Sequence, residues 1–197
     1  QIDTAWTELG PAKSLIAESF VKFSREVSII AVRGQDGDVK TWALAENHHH
    51  NGILSHSIVP APNSTDLQPV AQDYITRLLN HLNYVGVLTL ELFVTEQGLY
   101  ANEMACRVHN SGHWSIEGAI CSQFENHIRA VAGLPLGATD VVRPTVMINI
   151  IGQHPKSEDV LALKGAHLHL YNKSERAGRK LGHITLMPNN SDELTVL

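Results

Sequence analysis

The sequence predicts an α+β protein in which an antiparallel sheet with packed helices is followed by a small β-rich C-terminal lobe. Three observations carry this prediction: a hairpin pattern centred on residues 95–99, helical periodicity over residues 67–82, and only short strand-like segments after residue 138. The chain has 197 residues, 43% hydrophobic and 18% charged, which is enough to bury a core in one domain or a domain and a half.

The first elements are predicted to be strands. Residues 14–20 and 26–32 are expected to be extended, the second with alternating apolar side chains. The turn Gly-Gln-Asp-Gly at 34–37 then reverses the chain into an antiparallel partner over residues 39–45.

Two helices are predicted next. Apolar residues recur at helical spacing over residues 67–82, and the polar residues 64–66 offer N-caps. A second helix is expected over residues 116–131, with Ser115 as its N-cap and Gly133 as a stop signal.

After about residue 138 the sequence pattern changes to short strand-like segments, which predicts a first unit over residues 1–138 and a small β-rich unit over 139–197. Residues 157–163 could form a helix of about two turns. Short strands are expected at 145–151, 167–171 and 183–187.

Composition excludes several classes of function. The formal charge is −5 and no basic run is interleaved with aromatic residues, so a nucleic-acid partner is not expected. No apolar run approaches the roughly 20 residues that span a membrane. The two cysteines, Cys106 and Cys121, have neither disulfide-framework nor zinc-ligand spacing, which favours a reduced, cytoplasmic protein.

Both ends look cut. The chain opens with Gln1, without a signal-peptide pattern, and stops within an apolar run at 194–197, so we expect a piece of a longer polypeptide.

The central hairpin carries the strongest functional signal. If Thr95 faces Leu99 across a three-residue turn, Glu91 lies opposite Glu103 on one face of the strand pair. Two opposed carboxylates need a shared proton, a cation from the protein, or a divalent metal, and oxygen ligands favour magnesium or manganese. The alternative is a solvated edge with two unpaired glutamates.

Cationic and hydrogen-bonding side chains follow Glu103 before the next predicted helix. They are Arg107, His109, Asn110 and His113. Such a cluster suits an anion held beside a metal.

Two further segments could bind ligands. Consecutive strand residues point to alternating faces, so at most two of the histidines at 48–50 could reach one ion, and a polar strand end is the simpler interpretation. A second group of cations surrounds Gly178, and it could enclose a phosphate or form an exposed basic turn.

Four ordered motifs resemble the N5-carboxyaminoimidazole ribonucleotide synthetase family of the ATP-grasp superfamily, over almost the whole chain. They are NEMACRVHNSGHWS (102–115), LPLG (134–137), VMINIIG (146–152) and GRKLGH (178–183). The resemblance implies an ATP-grasp C-terminal subdomain. It also implies ATP-dependent carboxylation of 5-aminoimidazole ribonucleotide by bicarbonate, through carboxyphosphate, in purine biosynthesis.

The resemblance also implies residue roles. Glu91 and Glu103 would hold Mg²⁺ or Mn²⁺, and Arg107 would steady bicarbonate with His109 as its catalytic neighbour. The residues implied for ATP are Glu18, Ser19, Phe20 and Val21 at a hinge, Glu26 near the ribose, His49, Asn102 and Glu103. Those implied for the ribonucleotide and the transferred group are Asn110, Ser111, His113, Trp114, Lys173, Arg176, Arg179 and Lys180.

Some features depart from the family. Cys106 and Ala177 stand where proline is usual, and Asn172 where aspartate is frequent, which puts local loop geometry in doubt. The family's N-terminal domain, and the lysine and glycine-rich loop over the phosphates, do not appear, so the isolated chain is expected to be inactive or nearly so. The resemblance also implies a homodimer.

Two alternatives remain open at this point. Another ATP-grasp ligase, such as a formate-dependent glycinamide ribonucleotide transformylase or a biotin-carboxylase-like protein, shares the paired glutamates. A non-catalytic nucleotide-binding module would retain affinity without turnover.

Overall fold

The computed structural model describes residues 2–10 and 16–188. Their strands form one nine-stranded sheet whose pairs are all antiparallel. In chain order the strands are β1 (Arg25–Arg33), β2 (Val39–Thr41), β3 (Ala45–His50), β4 (Ile53–Val59), β5 (Gly86–Thr95), β6 (Gly98–Ala105), β7 (Thr145–Ile151), β8 (Ala166–Leu170) and β9 (Lys180–Leu186). Across the sheet they run β6-β5-β1-β3-β4-β7-β9-β8, and β2 pairs with β1.

Five α-helices accompany the sheet within the described residues. They are α1 (Ile2–Glu8), α2 (Leu67–Leu82), α3 (Ser115–Gly118), α4 (Gln123–Val131) and α5 (Ser157–Leu161), with a 3₁₀ turn at Asn110–Gly112. None of the helices in residues 2–10 and 16–188 combines the length and apolar character that crossing a bilayer requires.

Strand β1 lies at the centre of the core, because both of its faces are covered. Its residues 27–32 are all buried, and alternate side chains join two different apolar clusters. One cluster includes Val27 and Ile29 and packs under α2. The other includes Ile30 with the buried indoles of Trp42 and Trp114.

The central hairpin confirms the opposition of Glu91 and Glu103 but corrects the reason for it. The turn has two residues, so Thr95 pairs with Gly98 rather than with Leu99. A one-residue bulge beyond Leu92 then shifts the register by one and returns Glu91 to a position opposite Glu103.

The helix predicted over residues 116–131 was wrong, because α3 and α4 are separate. Between them the chain extends: Ala119 forms an isolated bridge with Val141, and the Ile120 amide donates to the Asp140 carbonyl. Ser122, not Ser115, caps the longer helix, since its hydroxyl accepts from the Glu125 amide at 3.1 Å.

The other predicted elements form with ends shifted by a few residues, except that the strand expected over residues 39–45 is reduced to Val39–Thr41. Helix α1 and strands β3 and β4 were not predicted from the sequence. Residues 16–20 take part in no strand, so the first of the two expected extended segments forms no ladder in its described part, and residues 14–15 lie outside the described residues. The apolar run at 194–197 also lies outside them.

The C-terminal strands continue the sheet of the first part. Strand β7 pairs with β4 over His56 to Val59, and β9 and β8 follow outward. A division of the chain at residue 138 therefore stays a prediction.

Candidate active site

The hairpin, the loop after it and the C-terminal strands meet around one cavity of about 400 Å³, here called the central cavity. It is lined by His49, Gly52, Ile53, Leu54, Glu91, Glu103, His109, Asn110, Gly178 and Lys180. Six of the residues predicted from the sequence for nucleotide, metal or substrate thus share one space, although they come from five separated segments of the chain.

The charged form of Glu91 is disfavoured by its surroundings. Burial, and next the charge of Glu103, raise the pKa of the Glu91 carboxyl above its usual value. The nearby Lys180 ammonium and His49 act in the opposite direction but do not cancel this shift. The pair therefore gains from a bound cation.

These residues fit a magnesium ion that also binds phosphates. No group of three or more His, Cys, Asp or Glu side chains within residues 2–10 and 16–188 is placed to enclose a metal. Magnesium bound with nucleotide commonly takes only one or two carboxylates, and phosphates and water complete its shell. Glu91 and Glu103 supply that number of oxygen ligands.

A buried chain of hydrogen bonds fixes the orientation of His109. Ser57 Oγ donates to Asn47 Oδ1 at 2.8 Å, and Asn47 Nδ2 donates to Ser28 Oγ at 3.0 Å. Ser28 Oγ donates to Ser111 Oγ at 2.8 Å, and that hydroxyl lies 2.8 Å from His109 Nδ1. The three serines are fully buried, so no solvent competes for these bonds.

This series of hydrogen bonds also sets the tautomer of His109. Its Nδ1 accepts from the Ser111 amide, at 3.4 Å, as well as from the Ser111 hydroxyl. The ring proton therefore resides on Nε2, which lies 3.3 Å from Glu91 Oε1.

His109 is neutral at physiological pH. Burial first, and then the charges of Arg107, Lys180 and His49, lower its pKa to about 4. It can donate a hydrogen bond to Glu91 or to a ligand oxygen without adding charge. Arg107 itself is exposed, and its Nη1 donates to the Val108 carbonyl at 3.0 Å.

Gln123 holds the backbone of the loop that carries His109. Its Oε1 accepts from the His109 amide at 2.9 Å, and its Nε2 donates to the His109 carbonyl at 2.6 Å. Gly112 has to be small here, since a Cβ on it would lie 2.6 Å from Gln123 Oε1 and against the Ile30 side chain. The side chain of Asn110 is fixed from β7, donating to Asn149 Oδ1 at 3.1 Å.

Two of the residues predicted for the adenosine end of ATP line a second cavity. Phe20 and Val21 line this space of about 790 Å³ together with the end of the hairpin, and Phe23 stacks on Phe93 with ring centroids 4.3 Å apart. Glu18 and Ser19 are exposed. Glu26 Oε1 lies 3.2 Å from Nδ1 of His49, the histidine of the triplet that lines the central cavity.

The C-terminal cations divide between the central cavity and its surroundings. Lys180 lines the central cavity, whereas Arg176 lines a neighbouring one of about 510 Å³ that shares Gly178. Lys173 Nζ lies 5.3 Å from the centre of the Tyr171 ring, and Arg179 Nη1 donates to Ser174 Oγ at 3.0 Å.

Some predicted residues are not brought to either cavity. Trp114 is 1% exposed and packs in the core, and Ser111 is fully buried beneath the loop. Neither side chain is exposed at a cavity, and the predicted contact of each with substrate stays a prediction. Asn102 is exposed at the bulge of β6.

The sequence reasoning missed the polar residues that lie behind the loop. Ser28 interrupts an apolar strand, and a buried serine among β-branched residues was the available signal. Asn47 and Ser57 sit on β3 and β4 in direct register with each other, a pairing that only the sheet topology reveals.

Comparison with known proteins identifies relatives for both parts of the chain. The model of the ATP-grasp domain matches residues 1–124, and that of the phosphoribosylaminoimidazole carboxylase C-terminal domain matches residues 145–196. An N5-carboxyaminoimidazole ribonucleotide synthase of Vibrio vulnificus is 50% identical over 98% of this chain, and its counterpart in Escherichia coli is 44% identical over 96%. The chain spans about half the length of these relatives, 52% and 54%.

Solved structures give the same neighbours. The N5-carboxyaminoimidazole ribonucleotide synthetase of Thermus thermophilus superposes with a TM-score of 0.88 at 53% identity, covering 90% of this chain and 49% of that one. An Aspergillus clavatus N5-carboxyaminoimidazole synthase, solved with ADP and 5-aminoimidazole ribonucleotide, gives a TM-score of 0.83 at 31% identity, covering 90% and 50%.

Proposed function

Because this chain belongs to the ATP-grasp family, we propose that it supplies the metal-binding half of an enzyme that carboxylates 5-aminoimidazole ribonucleotide at the expense of ATP. Bicarbonate is the proposed carboxyl donor and N5-carboxyaminoimidazole ribonucleotide the product, a step of purine biosynthesis. The observation that carries the proposal is the pairing of Glu91 with Glu103 across β5 and β6, where both line a cavity that is also lined by His109, Asn110 and Lys180.

Glu91 and Glu103 would hold magnesium, or manganese, between themselves and the phosphates of ATP. The metal would neutralise charge on the β- and γ-phosphates during transfer. The raised pKa of Glu91 supports this role, since burial and then the charge of Glu103 disfavour its charged form and a bound cation would favour it.

The proposed reaction has two steps, a phosphoryl transfer to bicarbonate and a carboxyl transfer to the amine. A bicarbonate oxygen attacks the γ-phosphorus, the bond to the β-phosphate oxygen breaks, and ADP leaves with carboxyphosphate formed. The exocyclic amine of the ribonucleotide then attacks the carboxyl carbon, inorganic phosphate leaves, and the amine loses a proton. Most of the catalysis required is positioning and neutralisation of charge.

Arg107 and His109 would act on the carboxyl group. A guanidinium meets two oxygens of bicarbonate or carboxyphosphate at once, and Arg107 is close enough to His109 to lower the pKa of that imidazole. His109, neutral and protonated on Nε2, would donate to an oxygen where negative charge develops.

The nucleotides would occupy the two ends of the site. Glu18, Ser19, Phe20 and Val21 would meet adenine at the larger cavity, with Glu26, His49 and Asn102 nearer the ribose and phosphates. Asn110 and His113 would face the imidazole ribonucleotide. Its 5′-phosphate would be bound by one or more of the C-terminal cations, Lys173, Arg176, Arg179 and Lys180.

Family membership also supports a cytoplasmic homodimer. Since the chain spans about half of its relatives, we propose that residues 1–197 alone turn over little or no substrate. The N-terminal part of the relatives would complete both nucleotide sites.

The test uses the protein as its own cell expresses it, called here the native protein. The measurement is phosphate release with Mg-ATP and bicarbonate, with and without 5-aminoimidazole ribonucleotide. We expect release to require the ribonucleotide. Release that requires formate and glycinamide ribonucleotide would instead support the transformylase-like alternative and contradict the proposal.

Calorimetry tests whether the two carboxylates bind the metal of Mg-ATP. Mg-ATP is titrated into the native protein and into its Glu91→Gln and Glu103→Gln variants. We expect weaker binding that no longer depends on magnesium. Unchanged binding in both variants would remove the two carboxylates as metal ligands.

A further inference from the structure

A cluster of aromatic polar side chains joins the loop of the central cavity to the C-terminal strands. Tyr171 is its centre, because its hydroxyl lies 3.0 Å from His113 Nδ1 and 2.7 Å from His183 Nδ1. His113 belongs to the loop, whereas His183 is on β9 and is 2% exposed. The hydroxyl therefore bridges two histidines from distant parts of the sequence.

Counting protons limits the arrangement to two possibilities. Tyrosine has one O–H, which burial keeps in place by raising the pKa of Tyr171 to about 12. Among the described residues the hydroxyl has no third hydrogen-bond partner, so its O–H donates to one Nδ1 and its oxygen accepts from the other. One histidine therefore has its proton on Nδ1, and the other has its proton on Nε2.

The environment of His183 Nε2 decides between these two tautomer assignments. Its Nε2 is buried and has no hydrogen-bond partner among the described residues. A proton there would be an orphaned N–H, the rarer and costlier defect in a protein interior, so the proton belongs on Nδ1. His183 Nδ1–H then donates to Tyr171, and the tyrosine O–H donates to His113.

His183 packs against another histidine, and both it and His113 are neutral. The ring of His169 stacks on it with centroids 4.3 Å apart and planes 8° from parallel, and His169 Nε2 is 2.7 Å from Glu117 Oε1. Burial lowers the pKa of His183 to about 3 and that of His113 to about 4, so both imidazoles are neutral.

His113 lies beside the site proposed above. Its backbone amide donates to the carbonyl of Asn110, which lines the central cavity, at 3.1 Å, and after burial the Lys180 ammonium of the same cavity contributes to its lowered pKa. Its ring also packs at a tilt against Phe124, with centroids 5.4 Å apart. The proton on its Nε2 is thus held on a ring that is fixed from both sides.

We propose that Tyr171 and His183 are positioning residues that fix His113 as a neutral imidazole with its proton on Nε2, a hydrogen-bond donor to an oxygen of the bound substrate or carboxyphosphate. His113 cannot then serve as the base that takes the proton of the attacking amine. This inference rests on the proposed function for the identity of the acceptor, but not for the tautomers.

Nitrogen NMR of the ¹⁵N-histidine-labelled chain at neutral pH tests the tautomers directly, because protonated and unprotonated ring nitrogens resonate far apart. We expect His183 to be protonated on Nδ1 and His113 on Nε2. His183 protonated on Nε2, or His113 on Nδ1, would overturn the proposal. The measurement needs no activity, so it remains decisive even if the carboxylation assay fails.

Tyr171→Phe removes the bridge, and Tyr84→Phe is the matched control, since among the described residues that hydroxyl bonds only the Cys106 carbonyl, at 2.9 Å. We expect the Nδ1–H form of His183 to lose population in Tyr171→Phe and to be unchanged in Tyr84→Phe. In the native protein, Tyr171→Phe should raise KM for the ribonucleotide several-fold and leave KM for ATP within about twofold. Unchanged tautomers in Tyr171→Phe would refute the role of the hydroxyl.

Discussion

Replacing Ser28 by alanine tests the buried chain that orients His109. The substitution removes two hydrogen bonds, one from Asn47 at 3.0 Å and one to Ser111 at 2.8 Å. It leaves the Asn47 amide, 5% exposed, with an unpaired donor, and an orphaned buried group costs about 1–3 kcal/mol. We expect the free energy of unfolding to fall by about 2 kcal/mol.

Urea denaturation of the chain measures this loss. For an m-value of about 2 kcal/mol/M, the midpoint should move down by about 1 M with the slope unchanged. Ser24→Ala is the matched control, because that exposed hydroxyl makes one bond, to the Val94 carbonyl at 3.1 Å. It should cost less than about 0.5 kcal/mol. Equal losses in the two variants would refute the claim that the Ser28 chain is a buried, fully satisfied network.

Three other changes follow from the same geometry. Glu91→Gln should raise stability at pH 7 without magnesium by roughly 0.5–1 kcal/mol, since it removes a buried charge and its repulsion by Glu103. The gain should vanish below about pH 4, where the Glu91 carboxyl is protonated in the folded and the unfolded chain, and its persistence there would contradict the reasoning. Gly112→Ala should cost about 1–3 kcal/mol and weaken Mg-ATP binding by the native protein, because the added Cβ displaces Gln123; wild-type thermal stability would contradict this. The buried neutral histidines are His109, His113 and His183, whose pKa values are lowered. The free energy of unfolding should therefore fall from pH 6.5 toward pH 4, by at most about 1.4 kcal/mol per pH unit for each of them, because the unfolded chain binds protons that the folded chain does not. Urea midpoints at pH 7.5 and 5 measure this slope, and a flat profile would refute it.

Local sequence patterns predicted the elements that local interactions determine. The periodicity of α2 and the strands of the hairpin were visible because each buries a regular face. The opposition of Glu91 and Glu103 was predicted from an incorrect turn, and the bulge at Asn102 restored it. A bulge depends on how the whole sheet twists, so a two-strand argument does not contain it.

Long-range contacts decided what the sequence did not show. The predicted single helix divides into α3 and α4, because the bridge between Ala119 and Val141 competes with helical hydrogen bonding. Trp114 looked like part of a pocket but packs in the core. The partners of Ser28 and of Tyr171 come from strands far away in sequence, and no spacing rule connects them.

The most direct test of the proposed reaction follows the oxygen of bicarbonate. The native protein is given Mg-ATP, 5-aminoimidazole ribonucleotide and ¹⁸O-labelled bicarbonate, and the released phosphate is analysed by mass. Attack of bicarbonate on the γ-phosphorus, followed by loss of phosphate from the carboxyl carbon, predicts one ¹⁸O atom in each phosphate. Unlabelled phosphate would contradict the account.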